Sequence, residues 1–209
     1  MIIEVCAESY EHALKAEKAG ADRIELCKDL HLDGLTPDYE SAKKTIDSLN
    51  IPVYILIRPI EGNFIYSDEE FELMKSDIVK FKEMGCKGIV SGVLNSDNSI
   101  DLKKTKELVE LSKPLEFTFH RAFDKVVNPL KEIENLIKLG VDRILTSGQK
   151  EKAVDGLVLL EQLNNISNNR IIIMPGSGVS NNNLKNFVSF NEIHGSFKNE
   201  INSSVFKFH

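Results

Sequence analysis

The sequence predicts an α/β protein of the TIM (β/α)₈-barrel class, folded as a single domain over residues 1–209. Short β-branched segments alternate strictly with amphipathic segments, and this alternation indicates parallel strands joined by helical crossovers. Eight strand candidates are present, which suits closure into a barrel better than an open doubly wound sheet. Only thirteen residues follow Ser196, so we expect the last helix to be short or missing.

The individual elements follow from composition and periodicity. Strands are predicted at Ile2–Val5, Arg23–Leu26, Val53–Ile57, Gly88–Val93, Leu115–Phe119, Arg143–Leu145, Ile171–Met174 and Glu192–His194. Helices are predicted at Tyr10–Ala19, Pro37–Leu49, Asp68–Met84, Asp101–Leu111, Pro129–Leu139, Ala153–Leu163 and Asn183–Phe190. The stretch Asn164–Asn169 is expected to be a long loop between a helix and a strand.

Several helix ends are marked by residues with a specific capping role. Gly20 and Gly140 each follow a helix candidate and supply the left-handed backbone that ends it. Ser9, Thr36-Pro37 and Ser67 mark helix starts, since a side-chain oxygen or a proline suits the first turn.

Composition excludes several classes of protein. With 42% hydrophobic residues the chain can offset its ordering entropy by burial, which excludes disorder. The net charge of −6 argues against nucleic acid or an anionic membrane as a partner. Three cysteines do not form a disulfide framework, and the N-terminus has no basic leader or long apolar stretch. We therefore expect a cytoplasmic protein.

Side chains alternate across a strand, so each strand has an apolar face and a mixed face. In the first strand Ile3 and Val5 share the apolar face, which must lie under the helices. The mixed faces then point into the barrel, and they carry Glu4, Cys6, Glu25, Cys27, Arg58, Thr118, His120, His194 and Ser196. This polar set is either a network that fills the barrel and whose charges and hydrogen bonds are paired within the protein, or a ligand site at the C-terminal mouth of the barrel. We favour the site, because a barrel built only for stability would carry Val, Ile and Leu there.

Cys6 and Cys27 take equivalent places on neighbouring strands, which lie about 4.8 Å apart. Two thiolates that close could hold a soft ion such as Cu(I). They could equally be plain buried thiols, and Cys86 is expected to be structural.

The densest polar cluster, Thr118–Asp124, runs off the fifth strand, where barrels of this class carry catalytic residues. The candidate catalytic residues are His120 as general acid or base, with Arg121, Asp124 and Glu25 beside it. The alternative is that His120 is a hydrogen-bonded plug and that Arg121 and Asp124 form a surface pair.

Glycine-containing turns follow the seventh and eighth strands, where this fold often binds phosphate. The candidate residues for binding a phosphate or carboxylate are Arg58, Thr146, Ser147, Gly176, Ser177, Gly178, His194, Gly195 and Ser196.

Taken together, these motifs resemble the CutC family, which is named for copper homeostasis. The residues that carry the resemblance are Glu4–Ser9, Gly20–Cys27, Gly34–Pro37, Ile57–Pro59, Thr118–Asp124, Arg143–Gln149, Pro175–Gly178 and Glu192–Ser196. The resemblance implies a TIM barrel, a cytoplasmic location, self-association into a homo-oligomer and a Cu(I)-binding role for Cys6 and Cys27. The chain departs from the family at Asp33, in place of a glycine, and at Ile60–Phe64, in place of an arginine-rich turn.

We therefore expect a copper homeostasis protein of the CutC type that binds Cu(I) through Cys6 and Cys27. The alternative is a TIM-barrel enzyme, a lyase, isomerase or hydrolase, that acts on a small anionic or phosphorylated metabolite at the mouth. A non-catalytic barrel that binds such a metabolite is a third hypothesis.

Overall fold

A computed structural model describes residues 1–201 and confirms the TIM-barrel prediction. Eight parallel strands form one sheet in the order β7-β6-β5-β4-β3-β2-β1-β8, and β7 also contacts β8, so the barrel is nearly closed. The strands are β1 Ile2–Ala7, β2 Arg23–Leu26, β3 Val53–Leu56, β4 Gly88–Ser91, β5 Glu116–Phe119, β6 Arg143–Thr146, β7 Ile172–Pro175 and β8 Glu192–Gly195.

The helices form a layer around the barrel. They are α1 Tyr10–Ala19, α2 Tyr39–Ser48, α3 Asp68–Met84, α4 Leu102–Ser112, α5 Pro129–Leu139, α6 Leu157–Ser167 and α7 Lys198–Ile201. The prediction of a short or missing last helix falls partly on residues 202–209, which lie outside the described residues.

Helix capping agrees with the sequence at most ends. The Ser9 hydroxyl accepts a hydrogen bond from the His12 amide, and Gly20 and Gly140 have the left-handed φ of 95° and 77°. Ser67 and Glu70 form a reciprocal capping box at the start of α3.

Two predicted helices need correction. The segment predicted as Ala153–Leu163 is a 3₁₀ turn, Ala153–Gly156, followed by α6. Helix α6 extends to Ser167 through the first part of the predicted Asn164–Asn169 loop, because its buried face continues at Leu160, Leu163 and Ser167.

The predicted helix Asn183–Phe190 contains only a 3₁₀ turn, Leu184–Phe187. The Asn183 side chain accepts a hydrogen bond from the Ser180 amide and donates one to the Gly178 carbonyl. Such bonds from an asparagine to nearby backbone compete with helix formation.

The strand faces are as the alternation predicts. Ile3, Val5 and their counterparts are buried between the sheet and the helices. Inside the barrel lies a separate apolar cluster, made of Cys6, Cys27, Tyr54, Leu56 and Val90. The interior therefore has its own packing, distinct from the outer core.

A buried ionic network fills the barrel beneath that cluster. Arg23 contacts the carboxylates of Glu4 and Glu192, while Arg143 contacts Glu192 at 3.0 Å and Glu116 at 2.7 Å. The internally paired network that the sequence offers as one alternative is thus present, but it occupies only one end of the barrel.

Both arginines of this network also lie against one aromatic ring. The guanidinium carbons of Arg23 and Arg143 are 4.8 and 5.3 Å from the centre of the Tyr54 ring. The ring in turn packs over Gly88, where a Cβ atom would lie 2.4 Å from it. A glycine in β4 is therefore needed to seat the tyrosine that covers both cations.

We predict that Arg23→Met lowers the free energy of unfolding by about 3 to 5 kcal/mol, because it leaves buried carboxylates without their cation. The matched control is Arg170→Met, which breaks the exposed pair with Glu134 and costs at most about 1 kcal/mol. Urea unfolding measures both values. Equal losses in the two variants would contradict the structural role of the network.

Candidate functional site

A cavity of about 540 Å³ opens at the C-terminal ends of the strands. It is the feature of the described residues that best fits a ligand site in this fold. Of the predicted site residues, those lining it are Cys6, Glu25, Arg58, His120, Arg121, Asp124, Ser177, Gly178, His194, Gly195 and Ser196.

Three of the predicted anion-binding residues do not line the cavity. Thr146 and Ser147 donate hydrogen bonds from their hydroxyls to the Asp124 carboxylate, at 2.5 and 2.9 Å. At Gly176 a Cβ atom would lie 2.4 Å from Leu145, so this glycine makes room for a neighbouring side chain. Their roles in anion binding stay predictions.

Asp124 fixes the position of Arg121 at the rim of the cavity. Its carboxylate accepts a hydrogen bond from Arg121 Nε at 2.8 Å, and others from the backbone amides of Ser147 and Gln149 at 3.0 and 3.2 Å. A carboxylate with this many donors is a positioning group. Arg121 keeps 36% of its side chain exposed, so it can still meet a ligand.

His120, at the end of β5, is buried with one ring nitrogen occupied and the other free. Its Nδ1 accepts a hydrogen bond from the Ala122 amide at 3.2 Å, so in the neutral ring the proton is on Nε2. Burial, together with the charge of Arg58, lowers the pKa of His120 to about 3. Nε2 has no partner among residues 1–201. At neutral pH His120 therefore offers a neutral hydrogen-bond donor, and its role as general acid or base stays a prediction.

Arg58 is a second buried donor beside it. Carbonyl oxygens of Leu32, Gly34 and Gly62 accept hydrogen bonds from its terminal nitrogens at 2.7, 2.8 and 3.3 Å. Its Nε has no hydrogen-bond partner within the described part of the chain. This wall of the cavity thus carries the positive charge of Arg58, which is held by backbone carbonyl oxygens.

The opposite wall is formed by carboxylates and a histidine. His194 Nδ1 lies 2.8 Å from Glu4 and 3.3 Å from Glu25. Burial raises the pKa of Glu25 to about 7. Burial also acts on Glu4, but Arg23 and His194 outweigh it and lower that pKa to about 2.

The same electrostatics act on the imidazole. Burial opposes its protonation, but Glu25 and Glu4 outweigh this effect and raise the pKa of His194. The two carboxylates therefore favour the protonated form of His194.

The two predicted copper ligands converge. The Sγ atoms of Cys6 and Cys27 are 3.5 Å apart, and both side chains are buried. Cys6 faces the cavity, while Cys27 lies behind it. The hydrogen bond to Cys27 and burial raise the pKa of the Cys6 thiol, so this thiol is protonated until a cation displaces its proton.

Phe64 is a site residue that the sequence reasoning did not single out. Its ring lies 4.9 Å from the Arg58 guanidinium and 4.9 Å from the His120 ring. It has a left-handed φ of 66°, which is rare for an aromatic residue. The only signal was its place in Ile60–Phe64, where the chain departs from the family's arginine-rich turn.

No helix within residues 1–201 is long and apolar enough to cross a membrane.

Fold and cavity together define a TIM-barrel protein with a polar, ligand-sized mouth. The CutC family model matches residues 1–199, so the chain belongs to the CutC family. A CutC family protein of Photorhabdus laumondii is 45% identical over 196 residues, which are 93% of this chain and 79% of the relative. The human copper homeostasis protein cutC homolog is 44% identical over 184 residues, 88% of this chain and 67% of the relative.

Solved structures agree with the fold. The crystal structure of CutC from Streptococcus agalactiae superposes with a TM-score of 0.89 at 33% identity, covering 94% of this chain and 98% of that one. An aldolase, QR15, superposes at 0.69 with 15% identity, covering 94% and 90%, and shares the fold alone.

Proposed function

We propose that this protein serves copper homeostasis in the cytoplasm by binding Cu(I) through Cys6 and Cys27. The observation that carries the proposal is the 3.5 Å separation of the two sulfur atoms, which is short enough for one ion to bridge them. Soft thiolates are the ligands that select Cu(I), and a reducing compartment keeps them available. The names of the human and mouse relatives refer to the same role.

The surroundings of the two sulfurs suit a transferred ion. Leu56, Val90 and Tyr54 pack around them and exclude water from one side. Cys6 borders the cavity, so an ion can enter and leave through the mouth. Because binding must displace thiol protons, the apparent affinity falls as the pH is lowered.

We predict that the Cys6→Ser/Cys27→Ser double variant binds Cu(I) at least about 100-fold more weakly than the wild type, since both soft ligands are lost. Competition with a chromogenic Cu(I) chelator under anaerobic, reducing conditions measures the affinity. Cys86→Ser is the matched control, because Cys86 is a third buried free thiol that does not line the cavity. An unchanged affinity in the double variant would remove the thiol site.

A second candidate function is an enzyme, a lyase, isomerase or hydrolase, acting on a small anionic or phosphorylated metabolite. The buried donors without partners, Arg58 Nε and His120 Nε2, favour it. Buried polar groups are nearly always hydrogen-bonded, and N–H groups without a partner can be satisfied by acceptor oxygens such as those of a carboxylate or phosphate. Arg121 adds a positioned charge at the rim.

We predict that a panel of phosphorylated and carboxylated metabolites contains ligands that raise the Tm of the wild type. A ligand at 100 times its Kd adds about 2.7 kcal/mol, which corresponds to roughly 5 to 10 °C for a chain of this size. The increase should be lost in Arg121→Gln and kept in Arg170→Gln, which changes a distant surface arginine. Either the absence of any such ligand or an equal increase in Arg121→Gln would refute this anion site.

A further inference from the structure

A group of three side chains that lines the cavity shares Cys6 with the cysteine pair. Cys6, Glu25 and His194 each place one donor atom within 4.8 Å of the other two, and all three side chains are buried. They come from three neighbouring strands, β1, β2 and β8. Cys6 is opposite Glu25 in the β1–β2 pair, while His194 is opposite Glu4, two residues before Cys6, in the β1–β8 pair.

We propose that Cys6, Glu25 and His194 bind one divalent cation of the Zn²⁺ type, at a site that does not use Cys27. A thiolate, a carboxylate and an imidazole are the three kinds of ligand that Zn²⁺ takes in proteins. Three protein ligands with the fourth position open are the arrangement of catalytic zinc sites, and here all three residues line the cavity, through which a further ligand could reach the ion.

The separations are close to those of a bound ion. In a tetrahedral site with metal–ligand bonds of about 2.0 to 2.3 Å, two donors lie about 3.3 to 3.8 Å apart. The donors of this group lie within 4.8 Å of one another, so binding requires a contraction of about 1 Å in the widest separation. Side-chain rotation can supply it without movement of the strands.

A neighbouring carboxylate already orients the histidine. The carboxylate of Glu4 can only accept at 2.8 Å from His194 Nδ1, which places the proton there and leaves the lone pair on Nε2. Zinc-bound histidines are commonly held in this way by a second carboxylate. Glu4 is itself fixed by Arg23, so the orientation rests on the ionic network below.

The opposite wall of the cavity indicates which small ligand would bind the cation in addition to the three protein side chains. His120 and Arg58 line the same cavity, and the buried atoms His120 Nε2 and Arg58 Nε have no hydrogen-bond partner among residues 1–201. An oxygen of a small carboxylate or phosphate can bind the cation while its other oxygens accept from these donors. The chemical class of ligand is therefore a small oxyanion held between a cation and two N–H groups.

The test loads metal-free full-length protein with Co²⁺ and Zn²⁺. We expect the Co²⁺ protein to show thiolate-to-cobalt charge-transfer absorption, lost in Cys6→Ser and retained in Cys27→Ser. Glu25→Gln should weaken Zn²⁺ binding at least 100-fold, measured by competition with a chromogenic chelator, while Cys27→Ser changes it less than threefold. Thermal unfolding of each metal-free variant tests whether that variant is folded. If Glu25→Gln is not folded, His194→Gln replaces it in the Zn²⁺ measurement.

The outcomes separate this site from the copper site. Absence of the charge-transfer band in the wild type overturns the proposal, as does an equal loss of Zn²⁺ affinity in Cys27→Ser and Cys6→Ser. Cu(I) affinity measured on the same variants should fall in Cys27→Ser and stay within threefold in Glu25→Gln. A wild type that binds no Cu(I) would refute the copper proposal and leave the Zn²⁺ result valid.

Discussion

The ion pairs of Arg23 and Arg143 with Glu4 and Glu192 are the interaction on which the barrel interior depends. Two arginines deep in the protein would be costly without carboxylates, and these carboxylates would be costly without arginines. Their pairing closes the N-terminal half of the barrel with a charged but satisfied layer. The C-terminal half is then free to form a cavity without loss of the fold.

The network also reaches the candidate site through one residue. Glu4 contacts Arg23 below and His194 above, so the position of a site histidine depends on an ion pair at the barrel floor. The two walls of the cavity differ in charge. One wall carries Cys6, Glu25 and His194, whose pKa is raised, while the other carries Arg58 and a neutral His120. A cation suits the first wall, and an anion suits the second.

Much of this arrangement could be predicted from sequence, because strand alternation decides which side chains meet. The inward faces of β1 and β2 predict the approach of Cys6 and Cys27, and glycines predict the ends of α1 and α5. Alternation also places Arg23 inside, yet its carboxylate partner Glu192 is 169 residues away. Such pairing depends on barrel closure, which no local pattern specifies.

Side-chain competition limited the remaining predictions. Asp124 is a residue of the type and position expected for catalysis, but its carboxylate oxygens accept hydrogen bonds from the amides of Ser147 and Gln149. These bonds form only when two loops meet. The proton position on His120 depends on a single backbone amide two residues later. The left-handed backbone of Phe64 was likewise unpredictable, because the neighbouring Gly62 and Asn63 are the residue types that usually adopt this conformation.

The central claim is that Cys6 and Cys27 act together as the ligands of one Cu(I) ion. X-ray absorption at the copper edge of the Cu(I)-loaded protein tests it most directly, because the spectrum reports which atoms surround the metal. The structure predicts coordination by both sulfurs in the wild type and the loss of one sulfur in Cys27→Ser. A wild-type spectrum with only nitrogen and oxygen neighbours, or one that Cys27→Ser leaves unchanged, would contradict the claim.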